Sequence, residues 1–152
     1  MMRFDLTGPT VPDNATVPDF SPPFPTGPVV KKRLWEFVRS DGAWQINGQF
    51  YDPNRVDASP RVNTTEIWTL KNGGGGWSHP IHIHDVGFQI LNRNGRPPEP
   101  SETGLKDVVV LNPDDQVDVK LHFDDNLGKY VMHCHNAEHE DMRMMTRFDV
   151  VS

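Results

Sequence analysis

The sequence predicts an all-β fold, a Greek-key β-sandwich. Three observations point there. Short runs rich in β-branched and aromatic residues recur along the chain, turn signals separate them, and one run, Gln116 to Phe123, alternates apolar and polar residues without a break. The 152 residues are the size of one ordinary domain. A chain of that length can bury roughly 70% of its unfolded surface, enough for a core without covalent staples. The single cysteine, Cys134, rules out an internal disulfide.

Nine strands are expected: Leu34 to Val38, Ala43 to Ile46, Thr65 to Leu70, Ile81 to His84, Gly87 to Leu91, Asp107 to Leu111, Gln116 to Phe123, Lys129 to His135 and Thr146 to Val151. The punctuation between them includes Ser40-Asp41-Gly42, Asn47-Gly48, Asp52-Pro53-Asn54, the glycine run 73–76, Asn94-Gly95 and Asn112-Pro113-Asp114. In Gln116 to Phe123 the residues Val117, Val119, Leu121 and Phe123 face in, which leaves His122 outward as a surface histidine. One short helix is expected over Asn136 to Asp141, just after the cysteine-bearing strand, with Asn136 as its cap and acidic residues in its first turn.

The N-terminal segment differs in character. Arg3 to Leu6 alternates like a strand end, and seven of the 14 prolines then fall between Pro9 and Pro28. Such chain is stiff and extended and forms neither helix nor central strand. Residues 1–30 therefore read as an arm or linker and residues 31–152 as the domain.

Charge and hydropathy exclude several classes of function. The formal net charge is −6 and the largest basic cluster is Lys31-Lys32-Arg33, which argues against nucleic acid as a partner. No apolar run approaches the ~18 residues of a membrane span. Met1 to Asp5 does not open a signal peptide, since no apolar core or small-residue cleavage site follows. The four-glycine run lacks the lysine-serine ending and the helix of a phosphate loop, and reads as a flexible lead-in to His79. Beside it, Trp77 fits a core or a pocket wall equally well.

The chemistry is concentrated in two windows that hold six of the seven histidines. One is His79-Pro80-Ile81-His82-Ile83-His84. The other is His133-Cys134-His135, followed by His139 and Met144. A lone cysteine is usually a small buried hydrophobe, and paired histidines on a strand can be mere polar positions. The spacing of Cys134 to its neighbours favours metal ligation instead. Successive side chains of a strand point to opposite faces. Cys134 then shares a face with Met132 and Tyr130, and His133 and His135 take the other. His82 and His84 share a face by the same rule, while His79, before Pro80, sits at the strand's mouth and can turn differently. Two sites follow. One gathers His79, Cys134, His139 and Met144, and the other His82, His84, His133 and His135. Thiolate, imidazole and thioether are the donors copper selects. Zinc would suit the histidine set, but a structural zinc site rarely combines one cysteine with a distant methionine. Met142 and Met145 read as packing residues.

These motifs resemble the copper motifs of the C-terminal cupredoxin domain of multicopper oxidases, the laccase-like family. Trp44 to Gly48, Thr65 to Trp68 and His135 to Met145 resemble the spore-coat laccase and bilirubin oxidase group in particular. The resemblance covers roughly Trp35 to Val151. It implies a sandwich or barrel of cupredoxin type. It implies that His79, Cys134 and His139 are type 1 copper ligands with Met144 axial, His82 a type 2 ligand, and His84, His133 and His135 type 3 ligands. Glu140 matches an acidic residue linked to proton delivery. Asp85, after His84, departs from the small or apolar residue common there.

The implied activity is oxidation of a phenol-like small molecule with dioxygen as acceptor. The family's trinuclear cluster takes eight histidines, and this chain offers four. The rest must come from a partner domain or chain, or from a second copy in a homo-oligomer. The N-terminal arm then matches the end of a preceding domain and its linker, so the chain reads as part of a longer oxidase or one subunit of a split one. The rival expectations are a stand-alone type 1 electron-transfer cupredoxin and a redox-silent interaction domain. Relatives are often exported, which favours a secreted or periplasmic setting, though no export signal is present.

Overall fold

The computed structural model describes Asp5, residues 7–17, Phe24 and residues 27–152. The strand end expected at Arg3 to Leu6 lies, apart from Asp5, outside the described residues. Residues 7–17 carry no helix or strand, and Val11 and Val17 are exposed, as an extended arm requires.

Among the described residues the chain forms ten strands: β1 (Val29–Ser40), β2 (Ala43–Ile46), β3 (Thr64–Asn72), β4 (His79–Ile83), β5 (Phe88–Arg93), β6 (Leu105–Lys106), β7 (Val108–Leu111), β8 (Gln116–Phe123), β9 (Gly128–Cys134) and β10 (Met145–Val150). All nine expected strands are present; β2 and β8 have the expected bounds and the other seven have shifted ends. The additional strand, β6, is two residues long and carries no pattern to read. The short helix α1 (Ala137–Asp141) lies where expected, and the Asn136 side chain caps it by accepting a hydrogen bond from the Glu138 amide.

The strands form two sheets, a six-stranded one in the order β2-β1-β3-β8-β5-β6 and a four-stranded one in the order β10-β9-β4-β7. The neighbours β1 and β3 run parallel and the other paired strands antiparallel. The core lies between the sheets. Trp68 of β3 is wholly buried at its centre, against Trp35 at 5.3 Å, Phe148 at 5.4 Å and Phe123 at 5.9 Å between ring centroids. Its indole N–H donates to Glu66, a buried carboxylate that Arg33 also grips with two hydrogen bonds. Burial of an ion is tolerable here because its oxygens are paired.

His122 is not the free surface histidine expected. Its side chain is 15% exposed, its Nδ1 lies 2.9 Å from the Thr65 hydroxyl, and its Nε2 lies 3.6 Å from Asp124. It does point outward from β8, but β3 supplies a partner that sequence alternation does not reveal.

At the far end of β5, Arg93 holds Glu102 and Asp115, and the Asp115 carboxylate also accepts from Asn94 and the Asn112 amide. These bonds outweigh burial and hold both carboxyls below their ordinary values of 4.5 and 3.8. A carboxyl held low in the folded state stabilises it above the unfolded-state value, and that contribution fades as pH falls through the folded-state value. The melting temperature is therefore expected to drop as pH is lowered from about 4.5 through 3.8 and below. Arg93→Ala should flatten that dependence and cost roughly 1–3 kcal/mol at neutral pH, measured by denaturant unfolding.

Candidate metal centre

The alternation of β9 separates two donor clusters. Cys134 faces the core, fully buried, and beside it sit His79 and His139, also buried. His79 and His139 bring their Nδ1 atoms to 3.1 Å from each other, and the Cys134 sulfur lies 3.6 Å from the first and 3.4 Å from the second. Ligands on one first-row ion, at about 2.0–2.1 Å for nitrogen and about 2.3 Å for sulfur, stand roughly 3–4 Å apart. The triangle has the size and donor chemistry to hold such an ion without rearrangement.

Strand order explains how the three meet. β4 pairs with β9 so that Ile81 lies opposite Cys134 and His82 opposite His133. His79 was expected at the strand's mouth and free to turn. It is instead the first residue of β4 and shares the inner face with Ile81 and Ile83 by ordinary alternation. β4 ends at Ile83, one residue earlier than expected, so His84 follows the strand. His139 is returned to Cys134 by the single turn of α1. The loop then closes through Met144, whose amide donates to the His139 carbonyl (2.8 Å) and whose carbonyl accepts from the Cys134 amide (3.0 Å). Arg143, at φ 62°, makes the reversal that brings a fully buried Met144 back to the pocket.

The second cluster lies on the opposite face. His82, His84 and His133 bring one nitrogen each within 4.8 Å of one another, and His84 Nε2 is 3.1 Å from His133 Nε2. His135, with a side chain 58% exposed, stands at 5.3 Å from His133 and 5.8 Å from His82 between ring centroids. All four expected members are thus adjacent. Two of them are oriented by the backbone: His82 Nδ1 lies 2.8 Å from the Asp107 carbonyl and His133 Nδ1 3.1 Å from the Cys134 carbonyl. Carbonyls can only accept, so these Nδ1 atoms are the donors in both bonds. Glu140 Oε2 is 3.8 Å from both His133 Nδ1 and His135 Nδ1. Asp85, at φ 75°, makes the turn out of the cluster, and burial, with Asp124 and Asp125 adding to it, raises its carboxyl.

Some residues of the site were not legible as such. A cavity of about 470 Å³ opens against His139 and is lined by Arg39, Trp44, Trp77, Glu138, Asp141 and Met142. Trp44 packs on the His139 ring at 4.0 Å, and Trp77, edge-on at 5.6 Å, is the pocket wall between solvent and imidazole. Met142 was expected to be a packing residue. It is 49% exposed on the cavity rim, because it caps the C-terminus of α1 on its outer side. His79 is fully buried and does not line the cavity, whereas His139 borders it.

Burial sets the protonation of the first cluster. It pushes the Cys134 thiol up to about 11 and, with His139 as the smaller cause, lowers His79 to about 4. His139 is lowered too, chiefly by burial. At neutral pH the pocket is therefore an uncharged thiol between two neutral imidazoles.

A β-sandwich with a buried N,N,S pocket set back to back against an imidazole cluster defines a soft-metal redox domain. The multicopper oxidase family profile matches residues 23–152. The bilirubin oxidase of Albifimbria verrucaria is 42% identical over 158 residues, covering 98% of this chain and 28% of that protein. A multicopper oxidase of Staphylococcus aureus is 38% identical over 128 residues, covering 82% and 28%. The crystal structure of a laccase from Pediococcus acidilactici superposes with a TM-score of 0.81 at 31% identity, covering 92% of this chain and 32% of that one. The chain belongs to the multicopper oxidase family, whose members are copper-dependent oxidoreductases, and the fold is of the cupredoxin type found in those neighbours. It spans less than a third of the length of these relatives.

Binding of a soft divalent ion such as cadmium at the first pocket must expel the Cys134 proton, since the thiolate is the ligand. About one proton per ion is expected to be released at pH 7, read by calorimetry in buffers of different ionisation enthalpy. Cys134→Ser should abolish that release and lower the affinity by orders of magnitude.

Proposed function

We propose that the chain is the redox domain of a laccase-like multicopper oxidase, acting on a phenol-like reducing substrate with dioxygen as the electron acceptor. The observation that carries this reading is the Cys134, His79 and His139 triangle, joined by a single peptide bond to the imidazole cluster behind it. In this reading His79, Cys134 and His139 would hold the type 1 copper, with Met144 as a further weak ligand. His82 belongs to the type 2 copper, and His84, His133 and His135 to the type 3 pair. Thiolate, imidazole and thioether match copper better than any hard cation. When bound, copper supplies one-electron exchange with the substrate at the first pocket and four-electron reduction of dioxygen to water at the second.

The chain's own residues then divide the work. His139 is the ligand that borders the 470 Å³ cavity, and Trp44 and Trp77 give that cavity aromatic walls suited to a ring-shaped reductant. Their packing also keeps water from the sulfur. Cys134 provides a covalent route to His133 through its own backbone, and the bond from His133 Nδ1 to the Cys134 carbonyl at 3.1 Å offers a shorter one. Glu140 stands where it can hold a proton beside His133 and His135 and release it toward the oxygen-reducing side.

The second cluster has four of the family's eight histidines. We assign the missing half to the rest of a longer chain or to a partner subunit, with a homo-oligomer that apposes two half-sites as the other route. Residues 1–30 serve in this scheme as the linker into the domain of residues 31–152. A second reading, a stand-alone type 1 electron carrier, is favoured by one observation: every donor of the first pocket comes from this chain.

The copper-loaded chain is expected to be blue and to take up little oxygen alone. Addition of a partner that carries the missing histidines should start oxygen uptake with a phenolic substrate under the oxidase reading and leave it unchanged under the carrier reading. A colourless copper-loaded chain overturns both. In the completed enzyme Glu140→Gln should leave the colour intact and slow oxygen uptake by roughly 100-fold or more, as loss of a positioned proton donor does.

A further inference from the structure

Asn72, the last residue of β3, is 1% exposed and belongs to neither donor cluster. Its amide group is nonetheless fully engaged. The Nδ2 donates to the Trp77 carbonyl at 2.7 Å and to the Asn112 carbonyl at 3.0 Å, with the Leu111 carbonyl at 3.4 Å, and the Oδ1 accepts from the Gly74 amide at 3.1 Å. We infer that Asn72 is a positioning residue for His79: its carboxamide fixes where β4 begins and so holds the His79 ring within reach of Cys134 and His139. This rests on the reading of that triangle as the copper site.

Two features of the chain make such a clamp necessary. The connection from β3 to β4 runs through Gly74, Gly75 and Gly76, all at positive φ, and glycines leave the backbone free to follow many paths. At the loop's start a Cβ on Gly73 would stand 2.2 Å from Val38 Cγ1, so the loop must press close against β1. The glycines let the loop fit but do not choose its end point. Asn72 does, because its bond to Trp77 is made two residues before His79. Leu111 is the residue opposite His79 in the ladder of β4 with β7, so the same amide also holds the strand against which His79 is registered. Ser78 adds a bond of 3.3 Å to Asn112 and closes the circuit. The expected flexible loop is thus pinned at both ends.

Removal of Nδ2 takes this bond from the Trp77 carbonyl, while the Asn112 carbonyl keeps its bond from the Asp115 amide at 3.0 Å. Asn72→Asp keeps the shape and the acceptor for Gly74 but points an oxygen at two carbonyls. Asn72→Ser is the milder, neutral variant. Asp149→Asn, which weakens the Arg147–Asp149 pair on β10 and touches neither Asn72 nor the donor clusters, serves as the control for lost stability alone.

In the metal-free chain, proton NMR should show the contact between the His79 and His139 rings in the wild type and in Asp149→Asn, and show it weakened or lost in the Asn72 variants. In the copper-loaded chain the Asn72 variants should release copper to a chelator roughly 10- to 100-fold faster and shift the thiolate-to-copper absorption band, with the control unchanged. Asn72 variants that fold and keep both the ring contact and the wild-type release rate overturn the inference. Absence of the band in the wild type counts against the copper reading, and the metal-free ring contact then decides the role of Asn72 by itself.

Discussion

A strand cannot present adjacent residues to the same side, and the whole site depends on β9 obeying that constraint at residues 133 and 134. Cys134 goes inward to the core and His133 goes outward to the solvent side of the four-stranded sheet. The two pockets are therefore neighbours without mixing donors: one peptide plane joins them and the sheet itself separates them. β4 repeats the arrangement in antiparallel register, with His79 and Ile81 inward and His82 outward. A one-residue slip of β4 against β9 would exchange the faces and dismantle both clusters together. The ladder in which His82 stands opposite His133 is thus a functional register as well as a structural one.

The inner pocket stores its donors uncharged. Desolvation disfavours an ionised thiol and protonated imidazoles alike, which is why the Cys134 thiol rises to about 11 while His79 falls to about 4. The packing of Trp44 on His139 and the backbone bonds of Met144 to both His139 and Cys134 hold these groups before any ion arrives. Such rigidity suits one-electron exchange, because a cage that barely moves between oxidation states adds little reorganisation to the transfer. The outer cluster is different in kind. Its His135 is open to solvent and Glu140 stands beside it, so protons can reach it as they cannot reach the sulfur.

Much of this was legible from residue spacing. Alternation placed Cys134 opposite to His133 and His135, because the period of a strand is strict and the donors are rare residue types. The helix that returns His139 was legible from Asn136 and the acidic residues after it. What escaped was everything set by partners distant in sequence. His122 obeys alternation yet is covered, because Thr65 lies opposite it across β3 and β8. Trp77 could not be assigned until β2 put Trp44 against His139 and made a wall of the pair. The glycine run gave no sign of being tied down, since its anchor, Asn72, is an ordinary strand-end residue by pattern and a clamp only once β7 lies beside it.

The geometry of the outer cluster supports the proposal that further ligands come from another domain or chain. Its histidines rise from β4, β9 and the segments that follow them, all on one face of a single sheet. A sheet face supplies donors from below only, whereas ions that must bind dioxygen between them need donors from above as well. Beside the cluster that face carries Pro80, Val108 and Val110, aligned across β4 and β7, with Val131 on β9, and the charged residues Lys129, Arg147 and Asp149 lie farther along β9 and β10; Val110 is 45% exposed. Apolar residues beside a polar donor cluster favour contact with another protein surface over contact with water. A surface that brought the missing imidazoles down onto His82, His84, His133 and His135 would cover those side chains in the same movement. Under the proposal made above, completion of the copper cluster and burial of this face would be one event.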